Sequence, residues 1–165
     1  MAKHLYSLQI EGNSAKAVGR DLPISFKHSS QVCKWIKQKN LQKAKEMLKR
    51  VIALKQPVPY SSFLWDLGHK PGIGPGRYPV KTCQELLKLL ESVEKNAQFR
   101  GLNTSKLVIA HMNAHKAATP WRNARHRGRK MKRAHVEIIV QESQMEAKKE
   151  QKVKPAKKMQ KSEAR

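Results

Sequence analysis

Between Lys95 and Val136 the chain runs 42 residues without one Asp or Glu, while carrying eleven Lys or Arg. Eight of those bases fall between Lys116 and Arg133, in the run KAATPWRNARHRGRKMKR. So much uncompensated positive charge repels itself and opposes compaction, so the run has to be displayed rather than packed. Its flanks are apolar and β-prone, Leu107 to Met112 before it and Val136 to Val140 after it. Two strand-like runs around a basic segment predict a hairpin with a cationic tip. A polyanion would convert the repulsion into binding through counterion release.

The rest of the composition fits a small nucleic-acid binder. Lys and Arg outnumber Asp and Glu by 35 to 12 in 165 residues, a length that suits one domain with tails. The apolar share of 39% predicts a modest core. No run approaches the roughly 18 apolar residues of a membrane span, so no membrane partner is expected. The opening MAKHLYSLQIEGNS has no signal-like apolar run. Two cysteines, Cys33 and Cys83, make neither a disulfide framework nor a zinc ribbon. They read as buried free thiols in a reducing, cytoplasmic setting.

Along the chain, residues 1–20 read as a polar, irregular N-terminal extension, 21–142 as the body, and 143–165 as a basic tail. Ile24 to Lys27 alternates like a short strand, and Ser29 or Ser30 suits the N-cap of a short helix with Val32, Cys33 and Ile36 on one face. Asn40 suits the cap of a second helix, whose Leu41, Ala44, Met47, Leu48 and Val51 form one stripe. Lys43, Lys45, Lys49 and Arg50 fill its polar side. From Gln56 to Pro79 glycine and proline dominate, predicting a long loop. Pro79 suits the first turn of a third helix, with Cys83, Leu86, Leu87, Leu90, Val93 and Ala97 inward and Gly101 as its stop.

The hairpin spans about residues 106–142. Strict alternation would put Leu107, Ile109, His111, Asn113 and His115 on one face and Val108, Ala110, Met112 and Ala114 on the other. Val136, Ile138 and Val140 share a face opposite His135, Glu137, Ile139 and Gln141. Beyond Ser143, the run EAKKEQKVKPAKKMQKSEAR has eight bases, three acids and no aromatic. It buries too little apolar surface to offset its ordering entropy and reads as a tail that is disordered or ordered by a partner. The expected class is α+β: a small three-helix body, a short antiparallel sheet, a long protruding hairpin and a basic tail.

Three groups of residues invite a chemical reading. GHKPGIGPGRY (68–78) is glycine-rich but lacks the Gly-Lys-Ser/Thr ending of a phosphate loop. It is a proline-rich connector, or a loop whose backbone approaches a sugar-phosphate chain closely and carries His69, Lys70 and Arg77 to it. His111 and His115 have the spacing of helical zinc ligands but lie on a strand pattern with no third ligand nearby, so polar surface or RNA contact is the better reading and no metal or other cofactor is expected. At the tip, arginine outnumbers lysine four to none from residue 122 to 129, with Trp121 beside it. Guanidinium groups fork onto phosphate and stack on bases. RNA is favoured over DNA because the bases lie on a ribbon and loops, with no recognition helix. No nucleophile–base arrangement emerges, so no enzyme is expected. A free architectural protein coating DNA or RNA stays open as the alternative.

Several strings, ISFKHS (24–29), VIALKQPVPY (51–60), GHKPG with GPGRYPVK (68–81), NAQFRGL (96–102), KLVIAHMNAHKA (106–117) and HVEIIVQE (135–142), together with their order, resemble one family. It is the universal large-subunit ribosomal protein family called L-twenty-two in bacteria and archaea and L-seventeen in eukaryotes. GPGRYPVK is of the archaeal or eukaryotic type. The resemblance covers roughly residues 5–142. It implies a structural constituent of the large ribosomal subunit in the cytoplasm, binding large-subunit ribosomal RNA and lining the nascent-peptide exit tunnel with its hairpin. Implied partners are that RNA, neighbouring large-subunit proteins and the nascent peptide. The implied RNA-binding residues are Lys27, His28, His69, Lys70, Arg77, Lys116, Arg122, Arg125, His126, Arg127, Arg129, Lys130, Lys132 and Arg133. The implied tunnel-lining tip is Trp121, Arg122, Asn123, Arg125, Arg127 and Arg129. Family tips of this lineage often read arginine-alanine-x-glycine-arginine; this chain departs from that with Asn123-Ala124-Arg125-His126-Arg127-Gly128-Arg129.

Overall fold

In the computed structural model the described residues are 6–10, 12–123, 125 and 127–142. They form three helices and two small antiparallel sheets, an α+β fold. The tail from residue 143 and His126 lie outside them.

The main sheet holds β1 (Ser14–Leu22), β5 (Leu107–Lys116) and β6 (Ala134–Glu142) in the order β1-β6-β5. β6 is therefore central, and Val136 to Val140 are all buried. The strand at 14–22 corrects the reading of residues 1–20 as irregular, so the folded body starts earlier than residue 21. Its inward residues are Ala15 and Ala17, too small to mark a strand by hydrophobicity. The expected strand at 24–27 instead leads into α1 (Phe26–Ile36), with Ser25 in the N-cap position. Ser29, read as a cap, is buried inside that helix and donates its hydroxyl to the Ser25 carbonyl at 2.9 Å.

α2 (Leu41–Ile52) follows the sequence reading closely. The Asn40 side chain accepts from the Gln42 N–H at 2.9 Å, and Leu41, Ala44, Met47, Leu48 and Val51 are buried. Lys45 departs from its assigned polar side. It is buried against Glu94 on α3 (Val80–Phe99), and Gln42 donates to the same carboxylate at 2.6 Å. The Lys45 hydrogen bond lowers the Glu94 pKa against the opposing effect of burial. α3 buries Cys83, Leu86, Leu90, Val93 and Ala97 and stops at Gly101, whose φ of 74° is a left-handed conformation that glycine adopts without penalty. Both thiols are free and buried, and burial pushes each up to about 12.

Strict alternation fails once in the hairpin. Ile109 pairs with Val140 and His111 with Ile139, so Ala110 is an extra residue, a β-bulge. Inward positions switch from odd to even there: Leu107 and Ile109 are buried before it, Met112 and Ala114 after it. At the bulge the α1–α2 link meets β5, with Gln38 donating to the Ile109 carbonyl and Ile109 donating to that of Lys39, both at 2.9 Å. This pairing covers part of the sheet edge.

The glycine-proline stretch is a second sheet, β2 (Val58–Pro59), β4 (Gly74–Arg77) and β3 (His69–Lys70), in the order β2-β4-β3. A Cβ on Gly76 would lie 3.2 Å from the Val58 carbonyl oxygen. At that position the close backbone approach is to β2.

Candidate nucleic-acid interface

The distal hairpin, residues 117–133, continues the ladder irregularly. Ala117 donates to the Arg133 carbonyl at 3.3 Å, Met131 to that of Pro120 at 2.8 Å, and Arg122 to that of Arg129 at 2.8 Å. Trp121 bridges Lys130, whose ammonium lies 4.6 Å from the indole centroid. This stacking fixes a lysine beside an aromatic face that stays 58% exposed. Lys116, Arg122, Asn123, Arg125, Arg127, Arg129, Lys130 and Lys132 are all exposed, and Arg133 is half-buried. Arg133 donates to the Asp21 carbonyl at 3.2 Å, tying the hairpin to β1.

The sites predicted outside the hairpin divide into two places. His28 lines a cleft of about 650 Å³ between body and hairpin, together with Arg122, Lys130, Lys132 and Arg133. Lys27, His69, Lys70 and Arg77 do not line it. Lys27 lies over the Phe63 ring at 5.4 Å, Lys70 lies over Tyr78 at 5.5 Å, and Arg77 donates to the Asp66 carbonyl at 2.9 Å. His69 is exposed on β3. Beside them Phe63, Leu64 and Trp65 project outward, Trp65 being 91% exposed. Aromatic faces set among cations suit unpaired bases next to phosphates.

His28 is held by the body rather than left free at the surface. Burial first, then Arg77 and Lys132, lower its pKa. Its Nδ1 lies 2.5 Å from the Tyr60 hydroxyl, and burial pushes that phenol up to about 12. The two groups share one hydrogen bond between the body's first helix and its second sheet.

Sequence reasoning missed two clusters. Ser25, Tyr78, Lys81 and Thr82 also line the cleft; the signal was two helix starts without an acid in either first turn. The second cluster lies on the sheet face away from the helices. Glu137, 2% exposed, accepts from the Ser7 N–H at 3.1 Å and from its hydroxyl. His111 Nε2 lies 3.1 Å and His115 Nε2 3.3 Å from the same carboxylate. Burial alone would raise this carboxyl, but the bonds from Ser7 and the two histidines outweigh it and hold it at about 2. The histidines thus serve an internal carboxylate. No group of three or more metal-ligating side chains occurs among the described residues, and no helix there is long and apolar enough to cross a membrane.

Known proteins of one family are similar to this chain over most of its length. Residues 17–141 match the family model described as Ribosomal protein L22p/L17e. The large ribosomal subunit protein uL22 of Thermoplasma acidophilum is 47% identical over 111 residues, covering 67% of this chain and 74% of that protein. Its counterpart in Staphylothermus marinus is 40% identical over 148 residues, 83% of this chain and 94% of the relative. That of Methanoculleus marisnigri is 38% identical over 151 residues, 86% and 99%. With all three helices, the second sheet and nearly all of the main sheet inside the matched span, the chain belongs to the ribosomal protein L22p/L17e family.

Proposed function

We propose that this chain is a structural constituent of the cytoplasmic large ribosomal subunit, where it binds large-subunit ribosomal RNA and lines the nascent-peptide exit tunnel with its hairpin. Membership of a ribosomal-protein family makes it a structural component rather than an enzyme. The observation that carries the RNA reading is the exposed, acid-free distal hairpin, whose arginines and lysines have no carboxylate within the whole span from residue 96 to 136. Phosphates supply the missing counter-charge, and converging RNA strands are held together by neutralising them. The tip from Trp121 to Arg129 is the segment that would face the tunnel and the nascent peptide. The loop carrying His69, Lys70 and Arg77 would lie on RNA beside the body, near neighbouring large-subunit proteins. The basic tail after Ser143 is a segment separate from the RNA-binding body.

The test is filter binding of the full chain to a large-subunit ribosomal RNA transcript across a salt series, with duplex DNA as competitor. The expected result is a log–log salt slope steeper than about −4, reduced by roughly 2 when Arg125 and Arg127 are both changed to Ala. Equal or better binding to duplex DNA would instead make it a free architectural protein.

A further inference from the structure

The cleft between hairpin and body has chemistry of one sign. Arg122, Lys130, Lys132 and Arg133 line it from the hairpin and Lys81 from α3, and no Asp or Glu is among its lining residues. Two helices begin at its floor. Ser25 holds the N-cap position of α1 yet makes no capping bond, and Pro79 at the start of α3 has no group to cap with. Neither first turn contains an acid. The first N–H groups of a helix have no partner within it, and its dipole favours an anion there.

Thr82 points to a ligand independently. It is only 4% exposed, it lines the cleft, and its hydroxyl makes no hydrogen bond with any described residue. A hydroxyl without a protein partner in the lining of a cationic cleft is available to an acceptor that enters it.

We propose that this cleft is a socket for a phosphodiester of the RNA backbone. Its floor is the first turns of α1 and α3 with the Ser25 and Thr82 hydroxyls, and its walls are Lys81 and the four hairpin cations. Helix starts bind phosphate through their free N–H groups, and here two such starts open into one cleft. The socket also gives the hairpin a reason to stay aligned with the body: one phosphate is shared between them. The assignment rests on the RNA-binding reading and names the subsite within it.

The experiment uses the full chain and three single-site variants. Thr82→Glu puts a carboxylate on the floor, where an acid in a first turn favours the helix, and an unchanged far-ultraviolet circular dichroism spectrum qualifies the variant for the assay. Thr82→Val removes only the hydroxyl. Gln98→Glu adds the same charge at the far, exposed end of α3. Affinity for the large-subunit ribosomal RNA transcript is measured, and inorganic phosphate is titrated while backbone amide resonances are followed. The expected result is an affinity loss of about ten-fold or more for Thr82→Glu, a few-fold loss for Thr82→Val and none for Gln98→Glu. Phosphate should shift the Lys27, His28, Lys81 and Thr82 amides of the wild type but not those of Thr82→Glu. Wild-type affinity in Thr82→Glu, with no phosphate shift, would overturn the socket and leave RNA binding standing. Phosphate shifts with unchanged RNA affinity would overturn it in favour of a free-anion site. Failure of the wild type to bind the transcript would overturn both readings.

Discussion

Glu137 shows how much one side chain can decide. It sits in the central strand, nearly inaccessible, and holds residue 7 against the outer face of the sheet. Its folded-state pKa of about 2 lies below the ordinary value, so its stabilising contribution is present above about pH 4.5 and is lost as pH falls toward 2. The difference corresponds to on the order of 3 kcal/mol. Urea melts of wild type and Glu137→Gln between pH 2 and 7 should differ by roughly that amount at neutral pH and converge in acid. Trp65 makes the opposite case. Being almost wholly exposed, it should contribute little to stability, so Trp65→Ala should leave the urea midpoint unmoved while weakening RNA binding by about 1–3 kcal/mol in filter assays. His111 and His115 were legible as polar ribbon residues, but nothing in their spacing announced Glu137, because the pairing that joins them is set by β5–β6 register.

At the scale of elements, legibility followed the size of the inward side chains. α2 and α3 were readable because large apolar residues recur at three and four, and Asn40 marks its cap chemically. Replacing Asn40 by Ala removes both the cap and its bond to the Ser105 carbonyl, which should cost about 1–2 kcal/mol in urea unfolding. β1 escaped notice because alanines face inward, and four alternating residues at 24–27 could not be told from a first helical turn. The bulge was invisible because alternation is unbroken on either side of it. Without Ala110, the sequence Ile109, His111, Met112, Asn113, Ala114 alternates inward and outward without interruption. Deleting Ala110 should therefore leave a folded protein destabilised by less than about 2 kcal/mol. Deleting Asn113 should turn Ala114 outward and His115 inward and cost far more; comparing the two urea midpoints checks this.

For the whole molecule, charge and fold divide the labour. The apolar residues close a small α+β core around β6, while the acid-free cluster of bases is displayed on the distal hairpin, with the cleft between it and the body. The family was legible in the sequence through its strings, and the displayed basic hairpin through the acid-free run. The cleft needed three-dimensional convergence of residues 23–28, 78–82 and 122–133, which no linear pattern displays. The central claim, that this chain is built into the large ribosomal subunit, is tested most directly by sedimenting the cellular protein through a sucrose gradient after a high-salt wash. Continued co-migration with large subunits is the predicted result. Release to the top of the gradient, or recovery with chromatin, would contradict it.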